Sequence, residues 1–327
     1  MLDSFGRKID YVRISVTDRC DLRCKYCMPS SNPFFYKKNE ILSIEDLQLI
    51  SETLIQLGIK KIRVTGGEPL IRKDIIKYLE FLSLKLKQKE INEVLLTTNG
   101  TQLKRYAKNL ADFGIKRINV SLDSLIQEKF NFITNGGNLK EVIEGILLAK
   151  ENNIKVKINT VLLKNFNDDE IISLMEWCGK NNFILSFIEV MPVGEISYSR
   201  SDQYLPVTKA KEIIGKEFDL VKSDLTSSGP SNYYFCNKLK SHIGFISPIS
   251  DHFCLTCNRV RVTSNGVIYP CLGDNNSVDL KPFLETSKNN KLLDILESVI
   301  FRKPEKHFFE INKKNYIKKR FMNTTGG

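Results

Sequence analysis

An α/β fold built on a parallel sheet is predicted by three features of this 327-residue chain. Short β-branched runs alternate with amphipathic stretches six times between Tyr11 and Val190. Glycines sit where helices would end, and the chemically distinctive residues gather in loops that follow strands. Repeated strand-then-helix units demand right-handed crossovers and therefore parallel strands. Six is too few for the usual closed eight-stranded barrel. An open, partial barrel and a doubly wound sheet remain, and both collect ligands at the C-terminal ends of the strands.

The predicted strands are Tyr11 to Val16, Lys61 to Thr65, Glu93 to Thr98, Arg117 to Ser121, Lys155 to Val161 and Leu185 to Val190. Between them, apolar residues recur at i, i+3 and i+4 over Ile44 to Leu57, Ile75 to Lys87, Leu103 to Phe113, Leu139 to Glu151 and Asp168 to Lys180, which predicts helices. Ser43 and Asp168 are placed as N-caps, and Gly58 and Gly114 where C′ glycines belong. The pattern breaks over Glu195 to Pro206, which is polar and irregular. Beyond it come a helix over Lys209 to Phe218, a Ser/Gly-rich loop over Ser227 to Ser231, and short strands. Asn265-Gly266 reads as a hairpin turn between Arg259 to Thr263 and Val267 to Tyr269. Helices near Asp279 to Glu285 and Lys291 to Phe301 complete this smaller region. The expected division is 1–194 and 195–327.

A hydrophobic fraction of 42% and a charged fraction of 27% are ordinary for a globular protein. No apolar run approaches the ~20 residues that span a bilayer, and Met1 to Arg7 holds no continuous apolar segment of a secretory signal. No membrane partner and a cytoplasmic location are therefore expected. The 49 Lys+Arg against 38 Asp+Glu give +11. No Arg-rich run or basic stripe with interleaved aromatics occurs, so nucleic acid is not the expected partner, whereas a polyanionic small molecule fits the charge.

Six of the eight cysteines form two triplets, Cys20-x3-Cys24-x2-Cys27 and Cys254-x2-Cys257-x13-Cys271. With reduced thiols, clustered cysteines read as metal ligands rather than disulfides. Three thiolates can hold three irons of a [4Fe–4S] cluster and leave one position open; a zinc ion with a further His, Asp or Cys ligand is the other choice. Cys178 reads as a core residue, and Cys236 as either a strand residue or a fourth ligand. For a second zinc site, Cys236, His242 and His252 are the candidates. His242, His252 and His307 otherwise read as surface or hydrogen-bonding residues. Gly66-Gly67-Glu68-Pro69 ends a strand and, taken alone, reads either as a tight turn only or as flexible backbone with a carboxylate suited to an ammonium group. Arg259 and Arg261 alternate on a strand and so share a face, as a phosphate grip would.

The first triplet followed by Gly66-Gly67-Glu68-Pro69 resembles the radical S-adenosylmethionine superfamily. The wider pattern resembles the GTP 3′,8-cyclase family. It runs from Asp3-Ser-Phe-Gly-Arg7 to Gly326-Gly327 and includes Arg13-x-Ser15-x-Thr17-Asp18-Arg19-Cys20, Tyr26-Cys27-Met28-Pro29, Phe187-Ile188-Glu189-Val190-Met191 and Gly229-Pro230-Ser-Asn-Tyr233-Tyr234. The resemblance implies a partial (β/α)6 TIM-like barrel whose mouth is closed by a smaller C-terminal α+β region. It implies two [4Fe–4S] clusters and S-adenosylmethionine as cofactors, and GTP as substrate. Cys20, Cys24 and Cys27 would bind the first cluster, and Cys254, Cys257 and Cys271 the second. Tyr26, Gly67, Ser121 and Met191 would line the S-adenosylmethionine site. Arg13, Arg63, Thr97, Lys157, Arg259 and Arg261 would contact GTP. Gly326 and Gly327 would enter the active site. An adenosyl radical would take hydrogen from C3′ of the ribose, and C3′ would then attack guanine C8.

The same resemblance implies a one-electron donor and a downstream cyclic pyranopterin monophosphate synthase that receives the product; a homodimer is among the assemblies it allows. A different radical enzyme with an auxiliary cluster, acting on a peptide, and a zinc-stabilised binding module are the competing classes. Two positions depart from the family: the tail reads Thr325-Gly-Gly rather than the commoner Ile-Gly-Gly, and Ser186 stands where an arginine commonly precedes Phe-Ile-Glu. The expectation is that a cation near the reaction centre is missing or replaced.

Overall fold

A computed structural model describes residues 1–28, 33, 35–194, 199–227, 229–284, 289–307, 309, 311 and 320–326. Its strands are β1 (Tyr11–Ser15), β2 (Lys61–Thr65), β3 (Glu93–Thr98), β4 (Arg117–Ser121), β5 (Lys155–Leu162), β6 (Ile184–Glu189), β7 (Leu220–Lys222), β8 (Asn232–Cys236), β9 (Ser241–Ile246), β10 (Arg259–Val262), β11 (Val267–Tyr269) and β12 (Val278–Asp279). The helices are α1 (Ile44–Gln56), α2 (Ile75–Lys87), α3 (Leu103–Asp112), α4 (Gln127–Thr134), α5 (Leu139–Glu151), α6 (Ile171–Lys180), α7 (Arg200–Gln203), α8 (Val207–Ile214), α9 (Asn289–Phe301) and α10 (Met322–Thr325). Among the described residues no helix is long and apolar enough to cross a membrane.

All strands join one sheet, in the order β12-β11-β10-β1-β2-β3-β4-β5-β6-β9-β8-β7. The six predicted repeats form its parallel centre, β1 to β6. The strands beyond residue 194 extend that centre at both edges: β10 pairs with β1 and β9 with β6, each in parallel. Hairpin strands then finish each edge in antiparallel fashion. Arg259 and Arg261 of β10 line the same cavity as Ile246 of β9, so the sheet curls until its two parallel edges face one another.

Parallel strands covered on both faces normally read as continuous apolar runs. Here they alternate. Val12 and Ile14, Ile62 and Val64, Ile118 and Val120, and Val156 and Ile158 enter the core shared with the helices. The intervening Tyr11 and Arg13, Arg63, Arg117 and Asn119, and Lys157 and Asn159 line a cavity on the other face. The concave side of this sheet is therefore an open chamber into which charged and amide side chains are set, not a packed barrel core.

Local chemistry explains most boundaries. Ser43 Oγ accepts from Asp46 N while the Asp46 carboxylate accepts from Ser43 N, a reciprocal cap that starts α1. Gly58 and Gly114 take φ values of +94° and +78° just past α1 and α3, as a C′ glycine does. Four readings are corrected. Asp168 is no N-cap: a 3₁₀ turn over Asp168–Glu170 precedes α6. The segment near Asp279 to Glu285 is β12 followed by a 3₁₀ turn over Lys281–Phe283 rather than a helix. The helix placed over Lys209 to Phe218 runs instead from Val207 to Ile214. The stretch from Glu195 to Pro206, read as irregular, contains α7; its residues 195–198 lie outside the described ones.

Candidate functional site

The first triplet follows β1 and opens onto a cavity at the C-terminal ends of the strands. Cys20, Cys24 and Cys27 line it with Tyr26, Gly67, Thr97, Ser121 and Met191. Several bonds hold the cysteine loop. Arg23 N donates to Thr134 O and Lys25 N to Ile133 O, both at 2.9 Å, so the end of α4 supports the loop. Tyr26 OH donates to Asp123 at 2.7 Å, tying the loop to the end of β4. Asn99 Nδ2 donates to Asp21 at 2.7 Å. Burial pushes all three thiols up, Cys27 to about 12.

The paired glycines serve the chain's own packing. Gly67 N donates to Thr17 O at 2.7 Å and Glu68 N to Arg19 O at 2.8 Å. A Cβ on Gly66 would lie 2.7 Å from Thr17 O, and one on Gly67 would strike Arg19 O. The close backbone approach is thus to the loop that carries Cys20. Glu68 does not present its carboxylate to a ligand, as its place at a strand end suggested. It is fully buried and accepts from Leu70 N (3.0 Å), Thr98 Oγ1 (2.9 Å) and Asn99 N (2.7 Å), which binds the loops after β2 and β3 together.

The second triplet lines an adjoining cavity together with Arg13, Arg63, Lys157, Arg259 and Arg261. The pairing register sets Arg13 beside Arg261 on one side and Arg63 on the other. Three guanidiniums thus stand in one row across adjacent strands. Like charges directly opposite are destabilising, so this row is an electrostatic debt that an anion would settle. Burial, with the neighbouring Arg259, pulls Arg261 down to about 10. Burial and Arg261 take Arg13 well below its ordinary value. Burial pushes Tyr11 up, but Arg63, Arg13 and Arg259 bring it below the usual phenol value. Burial likewise raises the Cys257 thiol, yet Arg259 and Lys303 more than offset this and leave it at about 6.

Lys157 is 5% exposed, and its Nζ donates to Ser231 Oγ and Tyr233 OH, both at 2.8 Å. Arg63 donates to Tyr11 OH, to Leu96 O (3.2 Å) and to Thr97 Oγ1 (3.2 Å). Thr97, expected with the arginines, thus reaches them through Arg63 while its side chain lines the first cavity. Arg261 Nη1 donates to the carbonyls of Thr325 and Gly326. Gly326 has φ +74°, and a Cβ there would strike Thr65 Oγ1, so the position requires glycine. Gly327 lies outside the described residues.

Asn159, Ile188, Met191 and Met322 line both cavities, which makes the two one chamber with a cysteine triplet at each end. Asn119 Oδ1 and Asn159 Oδ1 are buried in it without a hydrogen-bond partner. Cys236 and Cys178 are buried in the hydrophobic core, and His242 packs against Phe235 with ring centroids 5.0 Å apart. Of the two readings of Cys236, the strand residue is the one observed.

Sequence reasoning missed three groups. Arg117 lines the arginine cavity, but a single arginine inside a strand carries no signal of its own. His307, read as surface or hydrogen-bonding, is 6% exposed and lines the same cavity. Arg7 donates to the carbonyls of Cys254 (2.9 Å), Pro304 (2.6 Å) and Glu305 (2.8 Å), clamping the second triplet to the segment after α9.

Glu189 ends β6 directly beside the chamber. It is fully buried and accepts from Val207 N (3.0 Å), Ile249 N (3.1 Å), Ser250 N (3.1 Å) and Ser250 Oγ. Glu189→Ala would strand these donors, each costing about 1–3 kcal/mol when buried. We expect a loss of roughly 3–5 kcal/mol in urea unfolding; a loss under about 1 kcal/mol would show that the clasp is not structural.

Two family models match the chain: the Radical SAM superfamily over residues 14–178 and Molybdenum Cofactor Synthesis C over residues 183–309. GTP 3′,8-cyclases of Brucella ovis and Brucella abortus are each 44% identical over 330 residues, covering 100% of this chain and 96% of theirs. Among solved structures, Streptococcus suis SuiB bound to S-adenosylmethionine superposes with a TM-score of 0.60 at 18% identity, covering 89% of this chain and 68% of that one. The protein anSMEcpe with bound AdoMet gives 0.56 at 17% identity, covering 87% and 83%. These two likenesses concern the fold, whose partial-barrel form they share with the curled sheet described above.

Proposed function

The chain belongs to the GTP 3′,8-cyclase family of radical S-adenosylmethionine enzymes. From that premise we propose that it converts GTP into (8S)-3′,8-cyclo-7,8-dihydroguanosine triphosphate, the first step of molybdenum cofactor synthesis, in the chamber between its cysteine triplets. The observation that carries this reading is the chamber itself: a three-thiol set at each end and a row of in-register arginines at one of them.

The residues fit the groups the reading requires. A single tetrahedral zinc holds its sulfurs about 3.8 Å apart, given Zn–S bonds of about 2.3 Å. Among the described residues, the three ligand atoms that come within 4.8 Å of one another belong to His252, Cys254 and His307; neither cysteine triplet closes to that spacing. Wider spacing suits a cluster, in which each thiolate takes its own iron. The orphaned Asn119 and Asn159 oxygens call for a hydrogen-bonding ligand in the chamber.

In this reading Cys20, Cys24 and Cys27 hold the first [4Fe–4S] cluster, and Tyr26, Gly67, Ser121 and Met191 border S-adenosylmethionine. Cys254, Cys257 and Cys271 would hold a second cluster on the side of the chamber that receives the guanine. When bound, the reduced first cluster and S-adenosylmethionine supply a carbon-centred radical that removes hydrogen from C3′. The chain's own work is placement. Arg13, Arg259 and Arg261 receive the triphosphate with charge-assisted bonds; Arg63 extends their row on β2, and Lys157 lines the same cavity from β5. The wall of Val161, Ile188, Val190 and Met191 keeps water from the first triplet's side. The backbone of Gly326, held by Arg261, would stand beside the triphosphate grip. A one-electron donor, hand-off to a cyclic pyranopterin monophosphate synthase and a cytoplasmic setting belong to the same proposal, as does the assignment of 1–194 to the radical half and 195–327 to the substrate half.

Ser186 is not an empty place for an arginine. It is fully buried, its Oγ lies 3.1 Å from Ser231 Oγ, and it packs on Gly244, where a Cβ would strike it. A longer side chain would displace Ser231 from Lys157. We therefore expect Ser231→Ala to raise the KM for GTP about 5–10-fold with kcat kept: Lys157 retains Tyr233 as a partner, so the loss is that of one ordinary hydrogen bond, about 1 kcal/mol. Ser186→Arg should lower activity rather than raise it; a gain in kcat/KM for Ser186→Arg would contradict this account. The reading as a whole is tested by incubating the anaerobically reconstituted, reduced protein with S-adenosylmethionine and GTP. Formation of the cyclic nucleotide supports it; 5′-deoxyadenosine without that product counts against GTP as substrate.

A further inference from the structure

We propose that His252, Cys254 and His307 form a site for a single zinc-like divalent ion, and that a metal there competes with the second iron–sulfur cluster for Cys254. His252 Nδ1 and His307 Nε2 stand 3.3 Å apart, and each imidazole offers a nitrogen within 4.8 Å of Cys254 Sγ. Zn–N bonds of about 2.05 Å at tetrahedral angles place two nitrogens about 3.3 Å apart. The pair is thus already at ligand spacing. Two imidazoles and a thiolate are a donor set that zinc accepts, with a fourth position left open.

The surroundings favour a shared, exchangeable site. His252 is exposed, which gives an ion a route from solvent, while Cys254 and His307 are buried. Arg7 clamps the Cys254 carbonyl to those of Pro304 and Glu305, fixing the two buried ligands relative to one another. Loading has two visible costs, the first being the 3.3 Å hydrogen bond between His252 Nδ1 and His307 Nε2, which breaks when both nitrogens turn to the ion. Phe309 N donates to His307 Nδ1 at 3.3 Å, and that nitrogen must carry the proton once Nε2 binds metal. Two long hydrogen bonds are lost, so the site is weaker than a closed structural zinc site.

Binding releases the thiol proton: the Cys254 Sγ–H bond breaks, a sulfur–metal bond forms, and the proton leaves to solvent without any change of oxidation state. One sulfur cannot serve both centres, so zinc at this site leaves Cys257 and Cys271 short of a third thiolate. This consequence rests on the assignment of Cys254, Cys257 and Cys271 to the second cluster; the ion site itself does not.

The test titrates cobalt(II), a spectroscopic substitute for zinc, into the anaerobic, iron-free full chain. We expect one equivalent to give thiolate-to-cobalt charge transfer with tetrahedral bands. His307→Ala and His252→Ala should each weaken binding at least about tenfold, whereas Cys257→Ser and Cys271→Ser should not. No band, or a band lost in Cys257→Ser but kept in His307→Ala, overturns the site. Zinc added before reconstitution should lower the iron content from about eight to about four per chain, and His307→Ala should restore it. If iron stays at about four without zinc, the second-cluster assignment fails instead, and the cobalt bands still decide the ion site.

Discussion

Cys24→Ser is expected to abolish cyclisation, leaving the rate of an enzyme-free control, while the protein remains folded. Cys24 is the middle ligand of the first triplet, and its neighbours anchor the loop independently of its sulfur. Arg23 N and Lys25 N are held by Thr134 O and Ile133 O, and Tyr26 OH by Asp123. The substitution therefore removes a ligand without removing the loop. Iron should fall to about four per chain, because the second triplet keeps its full set. Cys178→Ser is the matched control. Cys178 is buried on α6 within the apolar core, so it should cost stability and leave the iron content unchanged. If Cys24→Ser kept full iron and turnover, the first triplet would not be the radical centre.

Arg261→Gln is expected to raise the KM for GTP roughly 10–150-fold, the range for losing a charged hydrogen bond of about 1.5–3 kcal/mol. The same change should not lower the thermal midpoint of the protein without GTP. Arg261 stands in the in-register row with Arg13 and Arg63, and burial with the nearby Arg259 pulls its pKa down to about 10. Removing that charge relieves the unliganded fold even as it weakens the hold on an anion. A purely structural arginine would behave the opposite way: the midpoint would drop and KM would stay. Calorimetry with and without GTP separates the two outcomes. The tail adds a signature, because Arg261 also holds the carbonyls of Thr325 and Gly326.

The parallel centre of this fold was legible because its signals are local. Lys61–Thr65, Glu93–Thr98, Arg117–Ser121, Ile75–Lys87 and Leu139–Glu151 carry their periods and caps within a few residues, and their observed bounds match the expected ones. What lay hidden depends on long-range pairing. Nothing within Arg259 to Val262 or Ser241 to Ile246 says that these strands continue a sheet begun more than 50 residues earlier. Helix α4 was missed because eight residues between two loops give too short a period. At the site, cysteine spacing announced both triplets. The row of arginines became visible only through the register, which sets Arg13 between two residues far from it in sequence. Ser186 was read only as a cation missing or replaced, because the hydroxyl it meets belongs to Ser231 on a distant loop. Glu68 was misplaced for a similar reason: its partners Thr98 and Asn99 come from the next strand.

The central claim is that one chamber brings the radical source at the first triplet to the ribose of a nucleotide held at the second. Its most direct test uses GTP carrying deuterium at C3′, with the reconstituted protein, S-adenosylmethionine and a reductant. The account predicts that the recovered 5′-deoxyadenosine carries deuterium, in step with formation of the 3′,8-cyclic nucleotide. Turnover that yields 5′-deoxyadenosine free of deuterium would contradict it.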